Sequence, residues 1–338
     1  MATYKKEGGV NVKSYTADPD KTYPSAFEGH LYYNSSDGQF KFIGLGAGAW
    51  ASGGNMNQVR GSNKGFGIQT AAITAGGAHE NPGATPATQK TESYDGSSWT
   101  EVGDLNVGRQ AFGSFGTQTA GFCASGQRES PPGAYVDFVE SWNGSSWTET
   151  TEVNTARTSP RATGTTTAGI IMGGYNPPPA LQVDLVESWN GSAWTETTEM
   201  NTRRSGFGTS QNSPNTDAVV FGGYTQPPPN TANAETWNGS AWTEVADLSG
   251  AKDNMGGAGS SSTEALCIGG RTTADTESWD GTSWTEVANL ALARGYFASG
   301  GTGSVAWAAG GEAPGSPYYK NETEEWNVTH AFKKVTTS

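Results

Sequence analysis

Residues 140–149 are polar or small except for two tryptophans, and an Asn143-Gly144 pair lies between these two aromatic positions. An Asn-Gly pair accepts the positive φ angles of a two-residue hairpin turn, so the pattern predicts two antiparallel strands. Trp142 precedes the turn and Trp147 follows it. Large aromatic side chains stabilise strands by packing against a neighbouring sheet. We therefore predict that both indole rings belong to the core and do not stack on a ligand.

The same hairpin pattern returns along the chain at intervals of 42 to 48 residues. The residues that begin the turn are Asp95, Asn143, Asn190, Asn238, Asp280 and, in a degenerate copy, Asn327. Two further strand patterns precede each hairpin: a small, Gly-rich one, as at 206–209, and an apolar one that ends in glycine, as at 168–174. A period of this length indicates a repeat array. Six units of four strands predict an all-β chain folded as a six-bladed β-propeller, with the Gly-rich strands innermost.

The first 60 residues do not follow the repeat. Residues 1–30 are polar and predict an extended arm, and the aromatic runs on either side of Asp37-Gly38 predict a separate β-hairpin. The predicted domains are this N-terminal arm and hairpin at residues 1–60, serving for attachment, and the propeller at residues 61–338. The fourth strand of the last unit has two candidates, residues 331–335 and the strand around Trp50. We favour residues 331–335.

Composition agrees with strands and turns and argues against several other classes of protein. The chain has 48 Gly among 338 residues and twelve Trp, although only 34% of its residues are hydrophobic. Its net charge of −13 argues against a nucleic-acid groove, which needs clustered Lys and Arg. No run approaches the roughly 18 apolar residues of a membrane-spanning helix, and the N-terminus lacks the apolar core of a signal peptide. Cys123 and Cys267 fall in opposite units of the predicted ring, so we expect both thiols to be reduced.

The repeat resembles the kelch repeat. In one unit a double glycine at Gly173-Gly174 is followed by Trp189-Asn190, then by Trp194, and then by Arg204. This order is similar to that of kelch repeats, although the turn between the two aromatic residues is shorter here. The resemblance covers residues 61–335 and implies a kelch-like β-propeller.

The N-terminal block is similar to structural proteins of tailed bacteriophages, in particular those of marine phages. The similarity rests on residues 29–42, 48–57 and 69–72. It implies a component of the virion, such as a tail fibre or a protein of the tail or head surface. On this resemblance we expect a protein of the phage particle that binds other virion proteins through residues 1–60 and is present as a homo-oligomer or in several copies.

One end of the predicted propeller carries loops suited to recognition. In an up-and-down sheet, the loops between second and third strands share this end with the loops between fourth and first strands. Most of the former are rich in proline, which restrains a loop and holds its side chains for binding. The candidate binding residues in these loops are Tyr135, Tyr175, Tyr224, Arg271 and Tyr318. The alternative is that the loops only seal this end or contact a neighbouring subunit.

A basic residue lies at one register of every loop between a fourth strand and the next first strand. These residues are Arg60, Arg109, Arg157, Arg204, Lys252 and Arg294. A structural role, in which each caps strand carbonyls or pairs with a carboxylate of a neighbouring blade, would explain the six-fold repetition. The other interpretation is that the cations bind an anionic sugar or a carboxylate-rich partner. The candidate binding residues therefore also include Arg109, Arg157, Arg204 and Arg294.

The sequence does not indicate catalysis or a cofactor. Glutamates recur in every unit at the start of the hairpin, whereas a catalytic carboxylate pair would break the symmetry. The three histidines, His30, His79 and His330, are not spaced as metal ligands. We expect no catalytic residue, no metal and no cofactor, and predict a binding protein whose partner is a host surface glycan or a neighbouring virion protein. The alternatives are a carbohydrate-active enzyme and a bacterial kelch-type interaction scaffold.

Overall fold

The computed structural model describes residues 4–7, 10–16, 18, 30–79, 87–128, 134–176, 181–226, 230–315 and 318–335. Every helix or strand assigned within these ranges is a β-strand. The chain divides into two compact units: the first combines residues 1–48 with residues 327–338, and the second comprises residues 49–326. The boundary between the units thus lies after residue 48, whereas the sequence analysis put it after residue 60. Residues 327–338 belong to the same unit as the N-terminal residues.

The first unit contains a small sheet with one parallel strand pair. Its strands among the described residues are β1 (Tyr4–Glu7), β2 (Val10–Tyr15), β3 (Leu31–Asn34), the first part of β4 (Gln39–Ser52) and the last part of β32 (Thr323–Lys334). β1 is antiparallel to β2, β2 is parallel to β3, and β3 is antiparallel to β4. Gly38, with a φ of 67°, lies in the turn between β3 and β4, where a residue without a Cβ adopts this angle at little cost. The hairpin predicted around Asp37-Gly38 is confirmed.

Polar contacts fix this hairpin. Nζ of Lys41 lies 3.0 Å from Oδ1 of Asp18 and also pairs with Asp37. Tyr32 and Asn34 donate further hydrogen bonds to Asp18, at 2.9 and 2.6 Å. Hydrogen bonds to Asp37 and Asp18 raise the pKa of Lys41, so its ammonium stays charged and holds residue 18 against the hairpin.

The second unit is a succession of antiparallel sheets. Sheet 1 has β5 (Lys64–Ile68), β6 (Ala71–Ala75), β7 (Thr91–Tyr94) and β8 (Trp99–Glu101). Sheet 2 has β10 (Gly113–Thr117), β11 (Ala120–Ala124), β14 (Val139–Trp142) and β15 (Trp147–Thr150), beside a ribbon of β9 (Arg109–Gln110), β12 (Gln127–Arg128) and β13 (Ala134–Tyr135). Sheet 3 has β16 (Arg161–Thr165), β17 (Ala168–Met172), β20 (Val186–Trp189) and β21 (Trp194–Glu196), beside a ribbon of β18 (Tyr175–Asn176) and β19 (Leu181–Gln182).

The remaining sheets follow the same order. Sheet 4 has β22 (Gly208–Thr209), β23 (Ala218–Phe221), β24 (Ala234–Trp237) and β25 (Trp242–Val245). Sheet 5 has β26 (Gly256–Ser261), β27 (Glu264–Gly270), β28 (Thr273–Trp279) and β29 (Trp284–Val287). Sheet 6 has β30 (Ala298–Gly301), β31 (Val305–Ala309) and the first residues of β32 (Thr323–Lys334). In sheets 1 to 5 the four strands pair in sequence order, as the repeat predicts.

The tryptophan hairpins form the third and fourth strands of these sheets. Trp142 faces Trp147 across the β14–β15 pair, and both are at most 5% exposed. Between them, Oδ1 of Asn143 accepts the backbone N–H groups of Ser145 and Ser146, at 3.0 and 2.9 Å. The same opposition of aromatic residues occurs at Tyr94–Trp99, Trp189–Trp194, Trp237–Trp242 and Trp279–Trp284. The prediction that Trp142 and Trp147 belong to the core is confirmed.

The first strand of each sheet contacts the first strand of the next. The contacts run from β5 to β10, β16, β22, β26 and β30, and from β30 back to β5. Glycine permits this close approach: a Cβ on Gly65 would lie 3.1 Å from Cβ of Ala298, and one on Gly113 would lie 3.1 Å from Cβ of Ala162. The second unit is therefore a propeller-like assembly of antiparallel sheets, with its Gly-rich strands adjacent to one another.

The fourth strand of sheet 6 comes from the N-terminal side of the chain. β4 is the neighbour of β32 in the strand order. The backbone N–H of Gly53 donates to the carbonyl of Thr323 at 2.9 Å, and the rings of Trp50 and Trp326 lie 5.6 Å apart. This corrects our preference for residues 331–335 as the closing strand.

The reason lies in the degenerate sixth turn. Asn327 is followed by Val328, whereas every other copy has glycine after its Asn or Asp. A β-branched residue resists the positive φ that the hairpin turn requires. The chain consequently does not reverse after Trp326, and β32 continues straight through residues 331–334.

A buried ion pair recurs where one sheet is joined to the next. Nη2 of Arg109 lies 3.0 Å from Oε1 of Glu140, and its Nη1 donates to the carbonyl of Phe138 at 2.6 Å. The second carboxylate oxygen accepts the backbone and side-chain N–H groups of Asn106, at 2.7 and 2.8 Å. The equivalent pairs are Arg60–Glu92, Arg157–Glu187, Arg204–Glu235, Lys252–Glu277 and Arg294–Glu324. The structural interpretation of the basic register is confirmed, since these residues pair with carboxylates and, as at Arg109, cap carbonyls.

The two turns that begin with aspartate should make the stability of the folded protein depend on pH in the acid range. The hydroxyl of Ser97 and the backbone N–H groups of Ser98 and Ser97 lower the pKa of Asp95 to about 2. The corresponding groups lower the pKa of Asp280 to about 2. Because an unperturbed aspartate has a pKa of about 3.9, the contribution of these carboxylates is complete above about pH 4 and is lost as the pH falls toward 2.

Replacing both aspartates by asparagine should remove this dependence and keep the turns, since asparagine already occupies three of the equivalent positions. We expect Asp95→Asn/Asp280→Asn to lose less stability than the wild type between pH 4 and pH 2, measured by thermal unfolding. Asp247→Asn, at an exposed position outside the turns, is the control. An unchanged acid dependence in the double variant would contradict this account.

The ion pairs at the sheet junctions predict an unequal response to removal of charge. Glu235→Ala leaves Arg204 charged, fully buried and unpaired, so the free energy of unfolding should fall by about 3–5 kcal/mol. Lys90, 41% exposed and paired with Glu101 and Asp104, is the control, and Lys90→Ala should cost less than about 1 kcal/mol. Urea denaturation measures both values, and comparable losses would rule out the framework role of the buried pair.

Candidate functional site

A ring of left-handed backbone surrounds the start of the first strands. It lies two residues after each basic residue of the repeat, and its members, with φ angles of 52° to 58°, are Ser62, Ala111, Ser159, Gly206, Asn254 and Tyr296. From Ala111 onward, each member's N–H donates to the carbonyl of the preceding member, at 2.6 to 3.1 Å. We call this ring the collar. A non-glycine residue in this conformation costs about 1–3 kcal/mol and persists only where its surroundings enforce it.

A second ring lies directly after the glycines that end each second strand. Its members, which we call the variable ring, are Ala78, Gln127, Tyr175, Tyr224, Arg271 and Glu312. Their backbones are bonded beside the collar: Tyr224 N–H donates to the carbonyl of Ser205, and Glu312 N–H to that of Gly295, each at 2.8 Å. The backbone positions are equivalent, but the side chains differ in size and charge. Since the framework repeats and these residues do not, the variable ring is where the fold can carry specificity.

The five loop residues that the sequence identified for binding lie at this end of the second unit. They are Tyr135, Tyr175, Tyr224, Arg271 and Tyr318. Three of them are members of the variable ring. The other two contact it, because Tyr135 pairs in a ribbon with Gln127 and the hydroxyl of Tyr318 donates to Glu312 at 2.7 Å. All five residues thus lie in or beside the variable ring, and their role in binding stays a prediction.

Tyr135 and Tyr175 form an aromatic pair between two adjacent sheets. Their ring centroids lie 6.1 Å apart in an edge-to-face arrangement, and both side chains are half-buried. Burial raises the pKa of Tyr135, so its hydroxyl remains a neutral donor and acceptor. Arg271 is 54% exposed and lies 3.6 Å from Asp253. This surface offers aromatic area, hydroxyl groups and the accessible guanidinium of Arg271 to a ligand.

The four arginines proposed as binding residues belong to the framework instead. They are Arg109, Arg157, Arg204 and Arg294. Each has no exposed area and is bonded to the glutamate of the sheet that follows it. None can reach an external partner without breaking a buried ion pair, so their expected place on the binding face is corrected. A repeated register in the sequence gives no information about exposure.

The proline-rich centres of the recognition loops lie outside the described residues. These segments are residues 80–86, 129–133, 177–180, 227–229 and 316–317. The candidate site therefore consists of the residues that flank them.

Two cations break the repeat along the first strands. Four residues after the basic residue, four of the sheets have glycine or alanine, at Gly113, Gly208, Gly256 and Ala298. Sheets 1 and 3 have Lys64 and Arg161 there, and both side chains are more than nine-tenths buried. They line a cavity whose other walls include Phe112, Ser114, Gln211, Phe297 and Ser299. Sequence reasoning missed this pair, although a long side chain at a position otherwise small was a visible signal.

Residues 210–213 connect the first strands of four sheets. The side-chain amide of Gln211 donates to backbone carbonyls in sheets 2 and 3, and the amide of Asn212 bonds to the backbone of sheets 1 and 6 at 3.1 to 3.2 Å. Gln211 stands where the other sheets have glycine, at Gly67, Gly116, Gly164, Gly259 and Gly301. This departure was also readable in the sequence and was missed.

Glu312 is the carboxylate of the variable ring. It accepts hydrogen bonds from Ser62, at 3.1 Å, and from Tyr318. Burial raises the pKa of Glu312. Carboxylates whose pKa is raised in this way occur at functional sites as well as in structural networks.

Other classes of site find no support in the part of the chain that the structure describes. Its His, Cys, Asp and Glu side chains form no group of three or more that could hold a metal ion. Cys123 and Cys267 are buried and free, as expected. No described helix could cross a membrane.

Comparison with known proteins concerns the fold. No protein-family model matches the sequence, and a comparison with curated proteins gives no match. A solved structure described as "Structure of YjhT" superposes with a TM-score of 0.67 at 12% sequence identity, covering 82% of this chain and 99% of that one. At this identity the likeness carries the fold alone. The chain is similar to that structure in its propeller-like, all-β architecture.

Proposed function

We propose that the second unit is a six-bladed, kelch-like β-propeller closed by the N-terminal strand. Two observations support this reading. The first strands of the six described sheets contact one another in a cycle that returns to sheet 1. Sheet 6 takes its fourth strand from residues 49–52, so distant segments of the chain share one sheet. Because the N-terminal strand pairs with β32, the third strand of sheet 6 is not left with an unpaired edge.

On this framework we propose a protein that binds and does not catalyse. The observation that carries the proposal is the contrast between the two sets of charged and aromatic residues. The repeated acidic and basic residues bind each other in buried pairs, as at Arg109–Glu140, and are therefore not free to bind a ligand. The variable ring, in contrast, presents differing side chains around a rigid collar. Specificity on a repeated scaffold requires positions that escape the repeat.

A host surface glycan is the partner that the variable ring favours. Tyr135 and Tyr175 offer half-buried aromatic surface, on which the apolar faces of sugar rings pack. Arg271, more than half exposed, can donate in pairs to a carboxylate or sulfate group of an acidic sugar. A neighbouring virion protein is the other partner compatible with this chemistry.

The proposed location is the surface of a bacteriophage particle. The support is the resemblance of residues 29–42 and 48–57 to structural proteins of tailed phages. The first unit, with its hairpin held by Lys41 and Asp18, would attach the chain to other virion proteins. In several copies per particle, weak binding at each site suffices because the sites act together.

A carbohydrate-active enzyme is the second candidate. Glu312, whose pKa burial raises, is the observation that favours it, since a carboxyl group that retains its proton at a higher pH can serve as a general acid. Glu312→Gln separates the two functions: loss of turnover on a polysaccharide panel would support the enzyme, and absence of turnover in the wild type would support the binding protein.

The glycan proposal predicts that the tyrosine pair controls affinity. Tyr135→Ala/Tyr175→Ala should weaken binding on a glycan array at least tenfold, because it removes the aromatic surface, and should leave the circular dichroism spectrum unchanged. Tyr33→Ala, in the first unit, is the matched control and should bind as the wild type does. Equal binding by all three proteins would exclude this surface.

The virion proposal predicts that the chain is present in purified particles. Mass spectrometry of particles banded in a density gradient should detect it at a stoichiometry of several copies. Its presence only in the lysate, and not in the banded particles, would refute the proposed location and leave the binding surface to be judged by the array.

A further inference from the structure

Lys64 is a buried base that the framework leaves without an ion pair among the described residues. Its side chain is 8% exposed. Among the described residues, its ammonium has neither a hydrogen-bond partner nor an ion pair. The other buried bases differ in this respect, since Arg109 pairs with Glu140 and Lys252 with Glu277. An ammonium in this position needs compensation, because burial without a partner is costly.

Arg161 is the second buried cation without a carboxylate partner in the described structure. Its Nε donates to the carbonyl of Phe207, and its Nη2 donates to that of Met255 at 2.6 Å. Its Nη1 makes no hydrogen bond to any described residue. Burial lowers the pKa of Arg161 to about 10, so the guanidinium remains charged at neutral pH. Carbonyls satisfy part of its hydrogen-bonding capacity but none of its charge.

Both cations line the cavity among the first strands. The hydroxyls around it are turned to the backbone, because Ser114 donates to the carbonyl of Gly65 at 3.0 Å and Ser299 to that of Gly257 at 2.9 Å. The ammonium of Lys64 and Nη1 of Arg161 therefore remain as the side-chain donors without partners in the described lining. The space left between the walls is about the size of one water molecule.

We propose that this cavity binds one monatomic anion of the size of chloride. The guanidinium of Arg161 and Lys64 in its ammonium form supply the charge and the free N–H donors that such an ion requires. The small space excludes carboxylates, sulfate and phosphate. Burial and the neighbouring Arg161 lower the pKa of Lys64, whereas the charge of Glu312 acts in the opposite direction. An anion in the cavity would oppose the lowering further by favouring the ammonium. The site is distinct from the glycan surface and does not depend on it.

Bromide provides a direct test on the wild-type full-length chain. Crystals grown or soaked in sodium bromide should show an anomalous-scattering peak in the cavity, within hydrogen-bonding distance of Lys64 Nζ. Data from crystals in sodium gluconate should lack it. A cavity without a peak at saturating bromide would overturn the proposal.

Thermal unfolding tests the same site in solution. Replacing sodium gluconate by sodium chloride at equal ionic strength should raise the Tm of the wild type by about 2–4 °C. Lys64→Met should abolish this halide-specific shift, whereas Lys90→Met, which removes an exposed lysine of the same unit, should retain it. A shift of equal size in Lys64→Met would overturn the proposal. If that variant does not fold, the bromide experiment decides.

Discussion

The buried pairing of a base with a glutamate is the constraint on which the second unit depends. A guanidinium taken out of water must have its charge compensated and its donors bonded. Arg109 achieves both by contacting a carboxylate and strand carbonyls of the sheet that follows it. The connection that leaves one sheet is thereby fixed onto the third strand of the next. Repeated around the unit, this contact sets where every first strand begins.

The collar follows from that constraint. Each collar residue lies two positions after a buried base, and the chain reaches it with a left-handed backbone whether the residue is Ala111 or Tyr296. Hydrogen bonds between successive members then hold the first strands in register. A scaffold fixed to this degree tolerates variety beside it, which is why tyrosine, arginine and glutamate occupy equivalent positions in the variable ring.

The sequence predicted what depends on local chemistry. Turns such as Asn143-Gly144 identify hairpins because the requirement for positive φ is met within two residues. The strand that completes sheet 6 depends on pairing between residues about 270 positions apart, such as Gly53 and Thr323, and no local pattern specifies such a partner. The absence of glycine after Asn327 was nevertheless a local reason to doubt a sixth hairpin.

The candidate site was only partly predictable. Aromatic loop residues such as Tyr175 were identified because loops tend to carry recognition, and they lie beside one another. The arginines were predicted to be exposed, but they are buried. A repeated basic position in the sequence does not distinguish a buried ion pair from an exposed cation. Lys64 and Gln211 were missed because the prediction rested on the residues that all units share. Each of the two replaces a glycine or alanine that most of the other units have at the same position.

The route of the chain between its two units has a mechanical consequence. The backbone passes from one unit to the other twice, after residue 48 and again after residue 326. A single proteolytic nick in either strand would leave the units tethered by the remaining one. Tension applied through the first unit would likewise be shared by both of these covalent connections, each of which leads into sheet 6.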